Sequence, residues 1–301
     1  MVTSRLGNRA RDAIAGLLLD QLFGEPPTAI HPVAGFGRCM ELVEAKLYRD
    51  SRTAGTAYET VAVALGYGAG RIAAEPITVA TVVAGRELRR AAARVRDALV
   101  ADDLDCARER VVALVGRDPS RLVHSELAAA VIESVAENTV DAVVAPVCWA
   151  VAAGAAGASV YRAVNTTDAM VGHRNPRYEN FGWPAARLDD LANYVPARLT
   201  AGLVALVRPA RSRAIGRAVR AQAPAHPSPN AGVAEAAFAA ALGVELGGPL
   251  HYGERHEDRP RLGYGPRPTV ADIDRALALA AQIELVIATL LSAIYLGTRT
   301  R

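Results

Sequence analysis

Lysine is almost missing from this chain of 301 residues, since Lys46 is the single lysine among 34 basic residues. A nucleotide-binding P-loop requires the pattern GxxxxGK[ST], so that class of site is excluded. A pyridoxal-phosphate enzyme requires a lysine for its Schiff base. Lys46 lies in an ordinary amphipathic pattern, ELVEAKLYR, which argues against that class as well.

Cysteine is also scarce. Cys39, Cys106 and Cys148 are odd in number, widely spaced and never form a CxxC motif. This pattern indicates buried small residues in a reducing compartment, and metal binding or catalysis is the alternative.

Aromatic residues make up only 5% of the chain, and the apolar half of the composition is mostly Ala, Val and Leu. That balance favours helices over the strands of a β-sandwich. The net charge of +3 is small for this length, so the sequence does not indicate a nucleic-acid platform. The apolar run from Ile14 to Leu19 is too short for a cleaved signal and is followed directly by Asp20.

Apolar runs long enough to cross a membrane are few. Residues 142–161 carry no charge over 20 residues, about the length that a bilayer requires, although Ala and Gly make them weakly hydrophobic. Further apolar pieces occupy 54–85, 199–207 and 285–298. Each is either a membrane span or a buried core helix. Arginines cluster after two of them, as they do on the cytoplasmic flanks of membrane helices, and solvated helix faces are the alternative.

The pattern therefore predicts an all-α fold, a membrane-associated helical bundle with long functional loops. A short helix is expected over 10–23, then a loop that contains His31 and residues 35–38. Later, residues 86–135 are expected to form a polar helical hairpin, with a charged helix to about Leu99 and a second helix to Val115. The sequence contains no internal repeat, low-complexity tail or flexible linker. We therefore expect one domain over residues 1–301.

The densest polar stretch is NTTDAMVGHRNPRYENFGWPAARLDDLANYVPAR, from Asn165 to Arg198. We expect a polar turn before Asp168, a loop over 172–183 and a helix beginning near Pro184. On that helix either Asp189 or Asp190 can share a face with Asn193. Carboxylate and amide oxygens suit Mg²⁺, and neighbouring arginines suit phosphate. The alternative is an ordinary helix N-terminus with solvated ion pairs.

A second acidic stretch, ESVAENTVDAVVAP, places Glu133, Glu137 and Asp141 four residues apart, with Asn138 beside them. Helical geometry would put the three carboxylates on one stripe, where like charges destabilise the helix unless a positive charge compensates. No basic residue lies within this stretch. Metal or substrate binding is one interpretation, and a solvated acidic face is the other.

A third motif, HPSPNAGVAEAAFAAALGVELGG, begins at His226. Asn230 is a good N-cap, Gly232 would admit a ligand to free backbone N–H groups, and Glu235 follows in the next turn. The same features begin any helix after a proline-rich loop. His31 also lies in a predicted loop, where it either serves function or bonds a backbone carbonyl. His251 and His256 are five residues apart in a charged loop, which argues against a zinc site.

Together these motifs resemble the CobD/CbiB family of cobalamin biosynthesis. The resemblance spans nearly the whole chain and rests on Asp20 with Gly24-Glu25-Pro26, on His31-Pro32, and on the three long motifs above. Glu25 stands where family members often carry Asp, a small departure.

The resemblance implies a multi-pass enzyme of the bacterial cytoplasmic membrane with its active site facing the cytoplasm. It implies that aminopropanol, free or as its O-phosphate, is joined to a propionate carboxylate of adenosylcobyric acid through an amide bond. ATP and Mg²⁺ are the implied cofactors, and the corrinoid is a substrate. The implied partners are these small molecules and the membrane, with no nucleic acid, and homo-oligomerisation is left open.

On this basis we assign expected roles. The expected catalytic residues are Glu137, Asp168, His173, Arg187 and Asp190. The expected metal ligands are Glu133, Glu137, Asp189 and Asp190. The expected substrate-binding residues are His31, Arg38, Asn138, Asn165, Tyr178, Asn193, Arg198, Asn230 and Glu235. Either His173 or His31 would accept the proton of the attacking amine, and the carboxylates and arginines are expected to share one pocket.

Two other classes of protein are alternatives. An all-helical prenyltransferase uses acidic helical motifs with Mg²⁺, and residues 189–193, DDLAN, imitate one. Such an enzyme would turn over a lipid diphosphate and ignore a corrinoid. A non-catalytic AmpE-like membrane sensor would tolerate changes at the carboxylates and would hydrolyse no nucleotide.

Overall fold

The computed structural model describes residues 2–116, 118–173, 175–252 and 255–299, with the side chains of residues 2, 3 and 249–258 left aside. The helices are α1 (Val2–Phe23), α2 (Pro32–Leu47), α3 (Arg52–Ile72), α4 (Glu75–Val82), α5 (Gly85–Val100), α6 (Leu104–Val111), α7 (His124–Thr139), α8 (Ala145–Val171), α9 (Trp183–Val207), α10 (Ser212–Gln222), α11 (Ala231–Leu242) and α12 (Val270–Arg299). A π-helical turn, Val140–Val144, joins α7 to α8, and two strands, β1 (Glu245–Tyr252) and β2 (Arg255–Gly263), precede α12.

The all-α prediction is confirmed, because strands β1 and β2 are the exception to helical structure among the described elements. The two strands form an antiparallel pair with Glu245 opposite Gly263 and an irregularity between Gly247 and Pro249. The prediction of a loop around His251 and His256 was wrong, since these residues face each other in the strand register. The segment is dominated by charge, so it lacks the apolar alternation by which a strand is recognised.

The chain divides into two compact units. The first comprises residues 1–86, 141–193 and 287–301, and the second comprises 87–140 and 194–286. The boundary between residues 193 and 194 falls inside helix α9, and the boundary between residues 286 and 287 falls inside helix α12. No linker separates the two units at these points. The expectation of one domain stays a prediction.

Glycines allow close helix packing in the first unit. Gly66 and Gly70 of α3 face α8, and a Cβ on Gly70 would lie 2.5 Å from the carbonyl oxygen of Ala155. Small residues let two helix backbones approach closely, as at helix interfaces in membranes. The packing of α3 on α8 therefore depends on the absence of a side chain at these positions.

An aromatic cluster also belongs to the first unit. The side chains of Tyr48, Tyr58, Tyr178 and Phe181 have neighbouring rings 5.2–6.5 Å apart. The Tyr178 hydroxyl donates to Glu44 Oε1 at 2.9 Å. These contacts hold Tyr178 and Phe181 of the predicted loop, residues 172–183, against α2 and α3. Tyr178 therefore has a packing role in addition to its predicted role in substrate binding.

Helix α8 is broken in the middle of the apolar segment. Gly154 has φ 72° and ψ −162°, which no helix accommodates. Arg9 donates to the carbonyl oxygen of Ala152 at 2.6 Å, and the Glu75 carboxylate lies about 3.4 Å from the position that a Gly154 Cβ would take. A cation at the end of the first half-helix and an anion near the start of the second complement the helix dipoles.

The second unit contains the predicted polar hairpin, whose two helices are α5 and α6. Helix α11 is buried along its whole length. Glu133 of α7 accepts a hydrogen bond from the Gly247 N–H at 2.7 Å, and Arg267 donates to the Gly247 carbonyl at 2.8 Å. These two side chains anchor the β1–β2 hairpin, which gives Glu133 a structural role that the sequence did not indicate.

Two segments predicted as irregular are helical, so those predictions were wrong. Residues 35–38 lie inside α2, because His31 caps its N-terminus and Pro32 occupies the first position. Residues 165–167 lie inside α8. The hydroxyls of Thr166 and Thr167 donate to carbonyls four residues earlier, Arg162 and Ala163, so these polar residues are satisfied within the helix.

In the part of the chain that the structure describes, two helical stretches are long and apolar enough to cross a membrane by length and composition, His124–Val171 and Val270–Arg299. Their most apolar windows are 44% and 28% buried within the protein. Both are consistent with the predicted membrane-associated bundle.

Substitution of Gly70 by Ala is expected to destabilise the first unit by about 1–3 kcal/mol, since the new methyl group would collide with the α8 backbone. The midpoint of thermal unfolding of the detergent-solubilised protein measures this effect.

Gly68→Ala is the matched control on the same helix, because no atom lies within 4 Å of its would-be Cβ. Alanine at that position should stabilise the helix by up to about 1 kcal/mol. Equal effects of the two substitutions would contradict the close packing of α3 on α8.

Candidate active site

A hydrogen-bonded network of amides and carboxylates forms the polar centre of the first unit. The Asn165 side-chain amide donates to Asp141 Oδ2 at 3.1 Å and to Asp189 Oδ1 at 3.2 Å. Asn193 donates to Asp189 Oδ2 at 3.1 Å. The i, i+4 pair on α9 is therefore Asp189 with Asn193. The π-turn contributes Asp141 to this network, α8 contributes Asn165, and α9 contributes both Asp189 and Asn193.

Two neighbouring residues of α8 extend this network. The Tyr161 hydroxyl, which is buried, donates to Asn193 Oδ1 at 2.9 Å. Arg162 donates to Asn165 Oδ1 at 3.1 Å and, through Nε, to the Val82 carbonyl at 3.0 Å. The oxygen and the nitrogen of the Asn165 side-chain amide thus both have partners, and this holds its NH₂ group toward the two carboxylates.

Negative charge is concentrated around Asp189. Burial raises the pKa of Asp189, the charge of Asp141 raises it further, and the amides of Asn165 and Asn193 act in the opposite direction. The carboxylates of Asp189 and Asp190 also act on Asp168 of α8. Like charges held together in a partly buried place resist full ionisation. The group is therefore suited to bind a cation or to hold a proton.

Glu59 of α3 adds a third charge that acts on Asp168, after those of Asp189 and Asp190. Its side chain is only 4% exposed, and neither carboxylate oxygen has a hydrogen-bond partner in the described part of the chain. Burial raises the pKa of Glu59 to about 7. The nearby Thr167 hydroxyl lowers this pKa in part, although in the structure it donates to the carbonyls of Ala163 and Val164 and not to Glu59.

A cavity of about 540 Å³ opens beside Arg162 in the same unit. Its wall is formed by the segment before α2, the first turns of α2, and one face of α8. The lining residues are Glu25, Pro26, Thr28, His31, Val33, Ala34, Gly37, Arg38, Glu41, Thr81, Arg162, Thr166 and Met170. Arg162 lines the cavity and also bonds Asn165, so it connects the cavity to the carboxylate network.

His31 has a defined state in this cavity. Its Nδ1 accepts the Val33 N–H at 3.1 Å, and its Nε2 lies 3.9 Å from Glu25 Oε1. Burial, and then the charge of Arg162, lowers the pKa of His31. The neutral ring must therefore carry its proton on Nε2. This geometry suits a hydrogen-bond donor, whereas the predicted role of His31 as proton acceptor would require Nδ1 to leave the α2 backbone.

The remaining predicted residues of the central run are placed near the surface. His173 and Arg187 are exposed, and Arg187 lies 3.5 Å from Asp190 across one helical turn. Asp190 is partly accessible, with 28% of its side chain exposed. Their predicted catalytic roles stay predictions.

The other predicted residues belong to the second unit. Glu133 is buried and Glu137 is exposed, so these two residues of α7 have different surroundings although they are four apart. Asp141 lies in the π-helical turn, which departs from the α-helical spacing that would place it on the same stripe. The Asn138 amide donates to the carbonyl of Ser134 at 2.9 Å. The prediction that Glu133 and Glu137 serve one site with the carboxylates of the first unit stays a prediction.

The motif around α11 is internally bonded. Arg198 donates to Asn230 Oδ1 at 2.6 Å and stacks on Tyr194. Glu235 is buried with its Oε1 3.6 Å from His226 Nε2. A Cβ on Gly232 would lie 2.5 Å from His226 Cβ, so the ring of His226 covers the surface that was expected to admit a ligand.

The donor set around Asp189 fits a hard cation. Within the ranges that the structure describes, no group of three or more His, Cys, Asp or Glu side chains is arranged to hold a metal. Mg²⁺ commonly takes one or two carboxylates and completes its octahedron with water and substrate phosphates. Asp189 and the accessible Asp190 are consecutive residues of α9 whose carboxylates repel one another, and a dication near them would relieve the repulsion that acts on Asp168.

Sequence reasoning missed three residues of this site: Tyr161, Arg162 and Glu59. Arg162 and Asn165 are three apart, which is a helical contact, but residues 165–167 were expected to form a turn. Glu59 stands in an apolar stretch, where a buried acid is a signal of function.

Comparison with known proteins identifies close relatives. A model of the family described as CobD/Cbib protein matches residues 13–280. A protein from Mycobacterium tuberculosis strain CDC 1551, named cobalamin biosynthesis protein CobD, is 45% identical over 298 residues, which cover 94% of this chain and 95% of the relative. A protein of the same name from Chromobacterium violaceum is 43% identical and covers 93% of this chain and 96% of its own length. No solved structure matches.

The buried Glu59 predicts a pH dependence of stability. Because folding raises its pKa to about 7, the native state binds this proton more tightly than the unfolded chain, and stability falls as pH rises toward and through 7. Glu59→Gln should remove a cost of up to about 3 kcal/mol at pH 8 and much less at pH 5. Unfolding midpoints of both proteins at these two pH values measure it.

Glu109→Gln, at an exposed position of α6, is the control and should be without effect at either pH. A stability difference between wild type and Glu59→Gln that is the same at pH 5 and pH 8 would rule out the buried, protonated carboxyl.

Proposed function

The chain belongs to the CobD/CbiB family, and from that membership we propose that it is the amide-forming ligase of cobalamin biosynthesis. In this reaction aminopropanol, free or as its O-phosphate, is joined to a propionate carboxylate of adenosylcobyric acid with consumption of ATP. The product is adenosylcobinamide or its phosphate. The coarser conclusion, a cobalamin biosynthesis protein of this family, rests on the relatives themselves.

One observation supports the ligase most directly, the connection that Arg162 makes between a cavity and a cluster of carboxylates. Arg162 lines the cavity and donates to Asn165, whose amide in turn donates to Asp141 and Asp189. A ligase must bring an amine, an activated acid and phosphate charge to one place. A cationic side chain can bind the negatively charged phosphate, and the acidic side chains next to it can bind the positively charged amine.

The chemistry requires three things of the protein. The acid must be activated as an acyl phosphate or adenylate, the amine nitrogen must attack its carbonyl carbon, and the phosphate or nucleotide must leave as the amide forms. The attacking nitrogen also loses a proton. We assign the acceptance of that proton to Asp168, which is half-buried beside Asp189 and Asp190. The surrounding negative charge favours a carboxylate that takes up a proton.

Asp189 and Asp190 would hold Mg²⁺, which when bound supplies positive charge to phosphoryl oxygens. Asn165 and Asn193 fix the Asp189 carboxylate by donating to its two oxygens. Arg187, exposed beside Asp190, would add a guanidinium to the same phosphate charge. Tyr161 fixes Asn193 in turn, so the ligand geometry is set by side chains that are themselves held.

The decisive experiment incubates the purified protein in detergent with adenosylcobyric acid, ATP, Mg²⁺ and aminopropanol O-phosphate, and identifies the corrinoid product by mass. The expected product contains the added amine less one water. Aminopropanol alone, tested in parallel, decides which form of the amine is used. Turnover of a lipid diphosphate without a response to corrinoid would instead support a prenyltransferase, and no turnover of either would support a sensor.

Asp190→Asn is expected to lower the rate of amide formation by about 100-fold or more, because it removes a charged ligand that acts in the transition state. The measurement is the initial rate of product formation at saturating substrates.

Asp105→Asn is the control, since the Asp105 side chain is 97% exposed and forms a surface pair with Arg108. It should leave the rate unchanged. A rate for Asp190→Asn close to that of wild type would remove the metal and phosphate role of this carboxylate.

A further inference from the structure

The cavity beside α2 is lined by charges of both signs. Arg38 and Arg162 are cationic, and Glu25 and Glu41 are acidic. A site for a nucleotide or inorganic phosphate alone would gain nothing from two carboxylates in its wall, since like charges oppose binding. The mixed lining points to a ligand that carries both charges.

The cationic part of the wall is prepared for an anion. Arg162 is held by the Val82 carbonyl and by Asn165. Arg38 is an exposed residue of α2 that lines the cavity, and it has no hydrogen-bond or ion-pair partner among the residues that the structure describes. Planar guanidinium groups suit the oxygens of phosphate or carboxylate, and the N-terminal turns of α2 add the positive end of a helix dipole.

His31 gives an independent indication of a ligand. The residue is 9% exposed, it lines the cavity, and its Nε2 has no hydrogen-bond partner in the described chain. Because Nδ1 is occupied by the Val33 N–H, Nε2 carries a proton for donation. A buried donor without an acceptor is costly unless a ligand accepts its proton.

The acidic part of the wall lies close to these donors. Glu41 follows Arg38 by three residues on α2, so the two side chains lie on the same face of the helix. Glu25 Oε1 is 3.9 Å from His31 Nε2. Helix positions three apart are about 5–6 Å apart between Cβ atoms, so an anion at Arg38 and an ammonium at Glu41 would be separated by about the length of a small molecule.

We infer that this cavity is a subsite for a small zwitterion, whose phosphate or carboxylate lies between Arg38 and Arg162 and whose ammonium lies against Glu25 and Glu41. This inference rests on the proposed function, in which a phosphorylated amino alcohol is such a zwitterion. It adds which residues recognise the two charged ends of the amine substrate, and the amine nitrogen would have to move from Glu25 and Glu41 toward Asp168 before it reacts.

The test measures binding to the purified full-length protein by titration calorimetry, without ATP or corrinoid. The probes are aminopropanol O-phosphate, aminopropanol, inorganic phosphate and β-alanine, which is a zwitterion with a carboxylate. Arg38→Ala and Glu41→Gln should each weaken binding of the preferred zwitterion by about tenfold or more. Arg49→Ala and Glu109→Gln, both at exposed positions outside the cavity, are the controls and should bind as wild type does.

The four probes separate the outcomes. Tighter binding of aminopropanol O-phosphate than of phosphate or aminopropanol supports the inference, and tighter binding of β-alanine identifies the anion as a carboxylate. Phosphate binding as tightly as the zwitterion, or Glu41→Gln without effect, overturns it in favour of a simple anion site. Amide synthesis by wild type together with unaltered binding by both variants overturns the subsite and leaves the proposed function standing.

Discussion

The amide of Asn165, shared between two carboxylates, is the interaction on which the candidate site depends. Its two N–H groups hold Asp141 and Asp189 beside each other in a partly buried position where their charges repel. Arg162 fixes the amide from the other side. Without these donors the carboxylates would separate or take up protons, since burial of like charge is unfavourable. The surrounding helices supply this arrangement by placing a π-turn, α8 and α9 side by side.

Helix packing and site chemistry are linked through α8. One face of this helix packs against the glycines of α3, a second lines the cavity with Arg162 and Thr166, and a third carries Asn165 and Asp168 toward α9. A shift of α8 would therefore move the cavity wall and the carboxylate cluster together. The break at Gly154 lies on the N-terminal side of this functional half of α8.

Several parts of the fold were predictable from local pattern. The Ala-rich composition indicated helices, Pro184 marked the start of α9, and the charged hairpin of α5 and α6 followed from periodicity. The errors have a common cause. Gly35, Gly37 and the Asn-Thr-Thr run at 165–167 are poor helix formers, yet they lie in helices because a cap or a backbone hydrogen bond satisfies them. The β1–β2 hairpin was missed because its charges hide the alternation of a strand.

The sequence by itself determined the family, the helical class and the polar motifs from which the site is built, because these depend on residue type and short spacing. Tertiary structure decided which members of those motifs meet. Asp189 pairs with Asn165 across two helices, Glu133 anchors a hairpin, and Tyr178 packs in an aromatic cluster. It also revealed Glu59, whose pKa is raised by its burial. Such contacts join residues far apart in the chain, and no local pattern records them.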